Sequence, residues 1–317
     1  MKVLVTGGAG FIGMHVVQRL LRKGVEMIVI DCLDSYYSEE RKKQHIQVIR
    51  SVSPFRFYPT NLLNREETFR IVQQEKPDVV IHLAALPGVS YSLKEPLQYV
   101  DYDIKATINI LEASGKAGVR HVIFSSSSSV YGNLGVVGPK KEEEANGHVI
   151  SPYAAAKWGA ESFCHVYANL YQFRLTILRL FTVYGPWGRP DMAIAKFLKQ
   201  ILSGEKITLF GTSQKRDFTY IDDVVNAVEA VMDYQGNETV FNIGNGHPVS
   251  MTDVVRLLQT YFPSMMVEQM EKRAGDVQQT WANIEKAQQH LMYMPKTTFQ
   301  EGLEKTIEWA KANIHLL

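Results

Sequence analysis

Cysteine is scarce in this 317-residue chain, which contains only Cys32 and Cys164. Two cysteines so far apart do not build a disulfide framework, and no Cys-x-x-Cys spacing marks a metal or redox site. This usage is typical of a reducing compartment, so the sequence predicts a cytoplasmic protein.

The chain also lacks an excess of charge and long apolar runs. Its formal net charge is +1 and 21% of its residues are charged, so no basic surplus indicates nucleic acid as a partner. No apolar stretch approaches the roughly 20 residues that span a membrane, so no membrane partner is expected. The nine histidines form neither a His-Glu-x-x-His helix nor a zinc-spaced cluster with cysteine, so no metal is expected. The remaining expectation is a small-molecule partner.

The first stretch of the chain carries the clearest motif. A short apolar strand, Lys2 to Val5, runs into Gly7, Gly10 and Gly13, and a helical pattern follows from Phe11 to Arg22. Glycine permits a sharp turn and the close approach of a pyrophosphate, and the new helix offers unpaired N–H groups to that anion. Any strand-to-helix turn can hold glycines, so the triplet alone is weak evidence for a dinucleotide.

A carboxylate at the expected distance strengthens the dinucleotide interpretation. The next predicted strand, Met27 to Ile30, ends at Asp31, roughly 20 residues after the glycine turn. A carboxylate here accepts hydrogen bonds from the adenosine ribose hydroxyls and repels a 2′-phosphate. We therefore predict NAD as the cofactor, rather than NADP.

The order of predicted elements indicates the fold class. Up to about residue 180, short β-branched runs alternate with helical segments, the pattern of an α/β fold with a Rossmann-type doubly wound parallel sheet. A Gly/Pro-rich loop then begins a smaller α/β substrate domain, and the strand Val240 to Ile243 is expected to rejoin the first sheet. We predict a cofactor domain over 1–180 and about 221–248, and a discontinuous substrate domain over 181–220 and 249–317.

Tyr153 and Lys157 are the strongest catalytic candidates. They lie four residues apart at the start of a predicted helix and therefore share one face. A phenol is a poor base at neutral pH, but a cation about 4 Å away is worth roughly 4 kcal/mol to the phenolate at an effective dielectric constant of about 20. Tyr153 could then act as a base.

A run of serines, Ser125 to Ser129, follows the predicted strand His121 to Ser125. Ligands bind at the carboxyl ends of parallel strands, so one of these hydroxyls can complete a proton relay. Two other interpretations stay open on these residues alone: a helix-surface Tyr/Lys pair and a flexible serine-rich loop.

Taken together, these motifs resemble the extended short-chain dehydrogenases/reductases, in particular the NAD-dependent epimerase/dehydratase family that acts on nucleotide sugars. The resemblance covers nearly the whole chain and includes His82 to Ala85, the serine run, Tyr153 with Lys157, Arg216 to Asp223, and Gly275 with Asp276. It implies that NAD contacts Gly7, Gly10, Phe11, Ile12, Gly13, Asp31, Asn61, Leu62, Leu83, Ala84, Ala85, Tyr153 and Lys157. It implies that the substrate contacts Ser127, Ser128, Ser129, Tyr153, Thr182, Arg189, Arg216, Arg273 and Asp276.

The resemblance also implies individual roles. Ser127 is expected to be the hydroxyl partner of Tyr153, and Lys157 to hold the nicotinamide ribose. Arg216 and Arg273 are expected to clamp the diphosphate, because planar guanidinium groups suit bidentate phosphate binding.

Two residues bear on which sugar is bound. The segment from Leu180 to Ala193 is similar to that of family members that epimerise UDP-glucuronate at C4, and family members acting on neutral hexoses usually have asparagine at Thr182. Arg189 supplies a cation that a C6 carboxylate needs and a C6 hydroxyl does not. The implied reaction is NAD-dependent conversion of UDP-glucuronate to UDP-galacturonate through a 4-keto sugar. A surface role for Arg189, in a Gly/Pro loop, remains open.

Several alternatives remain at this point. UDP-glucose 4-epimerisation, UDP-glucuronate decarboxylation and a non-catalytic NAD-binding sensor all remain possible functions. Dehydratases of the family have Asp-Glu where this chain has Ser128 and Ser129, which argues against dehydration.

The chain departs from the family pattern at three positions. Ser90 is usually arginine in members that act on acidic sugars, Asn61 is usually Asp, and Asp103 is usually Asn.

Finally, the predicted helices Leu97 to Ala117 and Tyr153 to Tyr171 resemble the pair through which family members dimerise. The resemblance therefore implies a homodimer.

Overall fold

The protein is described by a computed structural model that covers residues 1–133, 138–211, 214–271 and 277–317. Its strands are β1 Lys2–Thr6, β2 Glu26–Ile30, β3 Arg56–Tyr58, β4 Val79–His82, β5 His121–Ser127, β6 Arg174–Leu180, β7 Thr182–Tyr184, β8 Ile207–Phe210, β9 Lys215–Arg216, β10 Phe218–Tyr220, β11 Val240–Ile243, β12 Val249–Ser250 and β13 Val267–Met270.

Helices connect most of these strands. They are α1 Phe11–Arg22, α2 Glu39–Arg50, α3 Arg65–Glu75, α4 Val89–Ser92, α5 Pro96–Tyr99, α6 Ala106–Ala117, α7 Pro152–Tyr171, α8 Ala193–Leu202, α9 Ile221–Asp233, α10 Met251–Tyr261, α11 Glu285–Leu291 and α12 Phe299–Ala312. No helix within the described residues is both long enough and apolar enough to cross a membrane.

The central sheet has the strand order β11-β6-β5-β4-β1-β2-β3, and every neighbouring pair is parallel. The chain order reverses between β1 and β4, which is the point where ligands bind in doubly wound sheets. The Rossmann-type α/β prediction is therefore confirmed. As the sequence predicted, β11 rejoins this sheet beside β6, while the proposed domain boundaries stay a prediction.

Each face of the sheet is covered by its own apolar layer. Val3 and Val5 of β1 join the cluster that contains buried side chains of α1 and α9. Leu4, between them, joins the cluster built with α3, α6 and α7 on the opposite face. This alternation follows from the two-residue period of a strand, and it explains why β1 is apolar at every position from Val3 to Val5.

One predicted helix differs from the structure. The segment predicted as a single helix from Leu97 to Ala117 consists of α5, a π-helical turn over Val100–Lys105, and α6. The hydrophobic pattern cannot distinguish these, because a π-turn adds one residue without ending the helix. Asp103 lies in this turn and is buried.

Candidate active site

A cleft of about 830 Å³ opens at the carboxyl ends of the central strands, and segments on either side of the sheet line it. All predicted site residues among the described positions line this cleft: Gly7, Gly10, Phe11, Ile12, Gly13, Asp31, Asn61, Leu62, Leu83, Ala84, Ala85, Ser127, Ser128, Ser129, Tyr153, Lys157, Thr182, Arg189 and Arg216. Arg273 and Asp276 lie outside the described residues. The topology thus brings together residues that are far apart in the sequence.

The glycine turn is tightly packed between β1, β4 and α1. Gly7 has a φ of +70°, and a Cβ at this position would lie 2.7 Å from the backbone nitrogen of Ala84. A Cβ at Gly13 would overlap the carbonyl oxygen of Gly7, so the helix can approach the turn only without a side chain. Gly10 is the N-cap residue of α1, and no side chain among the described residues caps this helix end. Its first N–H groups therefore suit an anion such as a pyrophosphate.

Asp31 lies at the end of β2 with its carboxylate held by two backbone groups. Ala9 donates its N–H to Oδ2 at 2.9 Å and Leu33 donates to Oδ1 at 2.8 Å. Burial raises the pKa of Asp31, while the charge of Lys42 and the two N–H donors act in the opposite direction. Each carboxylate oxygen keeps an acceptor site, so a pair of ribose hydroxyls fits here.

Lys157 and Tyr153 are placed by the first turns of α7. The hydroxyl of Ser151 caps this helix by accepting from the N–H of Ala154 at 3.2 Å, and Pro152 follows the cap. The Lys157 ammonium is 3.0 Å from the carbonyl oxygen of Ser125, to which it donates. This bond fixes the cation on the face of α7 that Tyr153 shares.

The serine run begins inside the strand rather than after it. β5 extends to Ser127, and a 3₁₀ turn follows from Ser128 to Tyr131. The hydroxyls of Ser127 and Ser129 are 2.6 Å apart, and Ser127 Oγ also accepts from the Ser129 N–H at 3.2 Å. These bonds make the cleft-lining serines part of a strand end and a hydrogen-bonded turn rather than an irregular loop.

A buried ion pair, which sequence reasoning missed, supports the serine run. Arg179 of β6 donates to both carboxylate oxygens of Glu161 on α7, at 3.0 and 2.8 Å. Glu161 also accepts from the hydroxyl of Ser126, and Arg179 donates to the Tyr131 hydroxyl at 3.1 Å. Burial opposes the Arg179 charge, but Glu161 raises the arginine's pKa above its ordinary value. The available signal was an arginine between two leucines, Leu178 and Leu180, in a largely apolar strand.

Arg189, which also lines the cleft, forms a bidentate ion pair with Asp191. Its Nε and Nη2 donate to Oδ1 and Oδ2 of Asp191 at 3.0 and 2.6 Å. The hydroxyl of Tyr36 donates to the same carboxylate at 3.2 Å. Sequence reasoning missed Asp191 and Tyr36, although the Arg-Pro-Asp spacing was a signal for Asp191. Arg189 is therefore not an isolated surface residue.

Arg216 and Thr182 are positioned by a small parallel sheet and by Asp217. Thr182 donates its N–H to the carbonyl of Asp217 at 3.0 Å, where β7 and β10 run side by side. The Asp217 carboxylate accepts from the N–H groups of Asn245, Gly246 and Ala282 at 2.6 to 3.0 Å. Asp217 is fully buried and thus fixes the backbone beside Arg216, which lines the cleft.

Comparison with known proteins agrees with this geometry. The chain is 38% identical to the UDP-glucuronate 4-epimerase of Thermodesulfobacterium geofontis, over 99% of this chain and 97% of that protein. The crystal structure of UDP-glucuronic acid 4-epimerase from Bacillus cereus with UDP-glucuronic acid and NAD has a TM-score of 0.92 and 37% identity, covering 98% of this chain and 99% of that one. The UDP-glucose 4-epimerase of Thermotoga maritima with UDP-glucose has a TM-score of 0.90 and 35% identity, covering 99% of this chain and 100% of that one. Residues 3–244 match the NAD dependent epimerase/dehydratase family, and the chain belongs to this family.

Proposed function

We propose that the protein is an NAD-dependent isomerase that interconverts UDP-glucuronate and UDP-galacturonate by inverting C4. The observation that carries this proposal is that Tyr153, Lys157 and Ser127 line the same cleft as the glycine turn and Asp31. A base, a cation and a hydroxyl thus face the place where a dinucleotide fits. The similarity to UDP-glucuronate 4-epimerases over nearly the whole chain supports this substrate.

The residues present fit NAD. The uncapped N-terminus of α1 suits the pyrophosphate, Asp31 suits the adenosine ribose, and Lys157 suits the nicotinamide ribose. We assign the further contacts to Asn61 and Leu62, and to the segment from Leu83 to Ala85. When bound, NAD supplies the hydride acceptor for C4 oxidation and returns the hydride afterwards.

Proton transfer is assigned to Tyr153. Its phenolate oxygen takes the proton from the sugar O4 while C4 is oxidised, and returns it when C4 is reduced from the other face. Lys157 supplies a positive charge on the face of α7 that Tyr153 shares, and the Ser127 hydroxyl orients the sugar O4. The bond from Lys157 to the Ser125 carbonyl supports this arrangement, because it holds the cation in place.

Sugar-nucleotide binding is assigned to the opposite side of the cleft. Arg216 is proposed to bind the diphosphate together with Arg273, with Asp276 nearby. Thr182, Arg189 and the hydroxyls of Ser128 and Ser129 are proposed to hold the C6 carboxylate. The bidentate ability of a guanidinium group and the position of Arg189 in the cleft support its part in this set.

The proposed reaction also requires that the C6 carboxylate of the sugar is not lost as carbon dioxide. The 4-keto form of a uronic acid is a β-keto acid, which loses carbon dioxide when its carboxylate aligns with the carbonyl. Hydrogen bonds from Thr182, Ser128 and Ser129 are proposed to hold the carboxylate out of that alignment. A UDP-pentose as the main product from UDP-glucuronate would contradict this and favour decarboxylation.

The experiment that tests the proposal is incubation of the purified protein with NAD and, separately, UDP-glucuronate or UDP-glucose. The sugars released by hydrolysis are then separated. We expect galacturonate from the first substrate at far higher yield than galactose from the second. Galactose as the dominant product would favour UDP-glucose 4-epimerisation, and no epimer from either would favour a non-catalytic NAD-binding sensor.

We also propose a homodimer. Leu97, Val166 and Leu170 are 77%, 57% and 65% exposed on the contacting helices α5 and α7, and grouped apolar side chains on a surface are typical of protein–protein contacts. Val166→Glu combined with Leu170→Glu is expected to yield monomers by light scattering. Met292→Glu, at an 86% exposed methionine elsewhere, is the matched control and should leave the dimer intact. A monomeric unchanged protein would contradict the proposal.

A further inference from the structure

Arg189 uses only one edge of its guanidinium group for its ion pair. Nε and Nη2 each donate one hydrogen to Asp191, side-on and bidentate. A guanidinium group carries five N–H bonds, so Nη1 and the second hydrogen of Nη2 form a further edge. Among the described residues, no hydrogen bond from Nη1 of Arg189 is found, and the residue lines the cleft. A second carboxylate can therefore bind end-on without displacing the first.

Asp191 is itself held by a side chain from a distant part of the sequence. Tyr36, in the segment between β2 and α2, donates its hydroxyl to Asp191 Oδ2 at 3.2 Å. The ring of Tyr36 packs edge-on against Tyr91, with centroids 5.3 Å apart. Gly88 has a φ of +103°, and a Cβ there would overlap the Tyr36 hydroxyl, so this glycine leaves the space that the hydroxyl occupies. The position of Asp191 thus depends on contacts beyond its own loop.

We call Tyr36 and Asp191 together the bracket. The bracket restrains the Arg189 side chain, whose flexibility would otherwise make it a poor specificity residue. An unrestrained arginine side chain loses rotamer freedom when a ligand fixes it, whereas a pre-oriented one loses less. The Arg189 side chain is 22% exposed and that of Asp191 36%, so the pair is partly shielded from water. Burial opposes the charge of Arg189, but the Asp191 carboxylate raises its pKa, so it stays a cation. Arg189 and the proposed base Tyr153 line the same cleft.

We propose that Asp191, held by Tyr36, is a positioning residue that presents the outer N–H edge of Arg189 to the C6 carboxylate and so favours acidic over neutral UDP-sugars. The proposal rests on the proposed function and deepens it. Neither bracket residue touches the reacting atoms; they act through Arg189. Selectivity then resides in the orientation of Arg189 as well as in its charge.

The test uses Asp191→Asn and Tyr36→Phe in the full chain with NAD present. Asp191→Asn removes the charge and one bidentate contact at constant size, and Tyr36→Phe removes only the hydroxyl. Steady-state kinetics and dissociation constants are measured for UDP-glucuronate, UDP-glucose and UDP. Asp253→Asn is the matched control, because Asp253 and Arg256 form an exposed ion pair on α10, outside the cleft. Thermal unfolding verifies that each variant is folded.

We expect Asp191→Asn to raise KM and Kd for UDP-glucuronate about tenfold, in keeping with one charge-assisted contact, while kcat changes much less. Tyr36→Phe should act in the same direction with a smaller effect. Both variants should leave KM and Kd for UDP-glucose and the Kd for UDP unchanged, as Asp253→Asn should for all three ligands.

Two outcomes would overturn the proposal. A lower KM for UDP-glucuronate in Asp191→Asn would make Asp191 a competitor of the substrate carboxylate. Equal losses for both sugars would make it a structural loop residue only. Failure of the proposed function is distinguishable, because it is read from the products of the unchanged protein: no epimer at all, or galactose or a pentose as the main product. If UDP-glucuronate still bound selectively and Asp191→Asn abolished that selectivity, the role of Asp191 would be supported.

Discussion

Lys157 and Ser125 are joined by a hydrogen bond of 3.0 Å from the lysine ammonium to the serine carbonyl oxygen. This bond links α7 to the end of β5, and it fixes the cation one helical turn after Tyr153. Lys157 is only 3% exposed, so water does little to screen its charge. The cation that supports the proposed base is therefore held by the folded scaffold itself.

Removing the phenolic oxygen should abolish proton transfer while sparing cofactor binding. We expect Tyr153→Phe to lower kcat about 10²- to 10⁴-fold, the usual contribution of a general acid–base residue. NAD binding, followed by fluorescence or calorimetry, should change little, because the ring stays. Tyr167→Phe, on the same helix outside the cleft, is the control. Near-normal turnover by Tyr153→Phe would assign the base to another group.

The glycine turn should not tolerate a methyl group at Gly13. A Cβ there would lie 2.7 Å from the Cα of Gly8 and overlap the Gly7 carbonyl oxygen, so backbone must move. We expect Gly13→Ala to lose NAD binding and to cost about 2 kcal/mol of folding free energy, as overpacking does.

Gly24→Ala is the control for this change. Gly24 has a φ of +74°, and nothing lies within 4 Å of the point that an added methyl group would occupy, so only backbone strain is added. It should cost on the order of 1 kcal/mol and leave NAD binding unchanged. Tight NAD binding by Gly13→Ala in a titration would show that the turn does not hold the cofactor.

The buried pair of Glu161 and Arg179 should be strongly sensitive to the loss of one partner. Glu161→Gln leaves Arg179 buried without its countercharge, which is expected to cost about 3 to 5 kcal/mol in urea unfolding. Glu67→Gln, in an exposed pair with Arg70, should change stability little. Equal effects of the two substitutions would mean that the buried pair stabilises the protein no more than the exposed pair does.

The buried carboxyl group of Asp103 predicts how the stability of the protein depends on pH. Burial raises its pKa to about 6, against the opposing effects of the Lys157 charge and of the Leu86 N–H, which donates to Oδ1 at 2.7 Å. The unfolded chain loses this proton near pH 4, so between about pH 4 and 6 the folded state binds more protons. The contribution of Asp103 to stability therefore falls as pH rises through this window.

Asp103→Asn removes the buried charge at nearly constant shape. Because the charged form is the costly one, we expect the variant to exceed the unchanged protein in stability at pH 8 by on the order of 2 kcal/mol. The difference in the free energy of unfolding between the two proteins should become smaller as the pH falls below 6. Urea unfolding at pH 8 and pH 4.5 measures this. A less stable variant at pH 8 would show that the ionised carboxylate has a partner that stabilises it.

The sequence predicted most of the sheet, because its signals are local. The strands Val79–His82 and Val240–Ile243 were predicted with the bounds that the structure has, since buried parallel strands are short, continuous apolar runs. The glycine turn and the Tyr153 and Lys157 helix were placed by spacing alone. In each case the motif and the element that carries it are neighbours in the chain.

The sequence could not reveal contacts that depend on tertiary structure. Tyr36 and Asp191 lie 155 positions apart, and only the folded chain brings them together. Glu161 reaches Arg179 across the boundary between a helix and the sheet. The π-turn around Asp103 was also missed, since an apolar pattern continues through it. The bracket on Arg189 therefore became visible only in the structure.

The most direct test of the account follows the hydrogen at C4. UDP-glucuronate carrying deuterium at C4 is incubated with the protein and NAD, and the products are analysed by mass spectrometry. Hydride removal and return within one closed site predict UDP-galacturonate that retains the deuterium at C4. Loss of the label to water, or a decarboxylated pentose as the main product, would contradict the account.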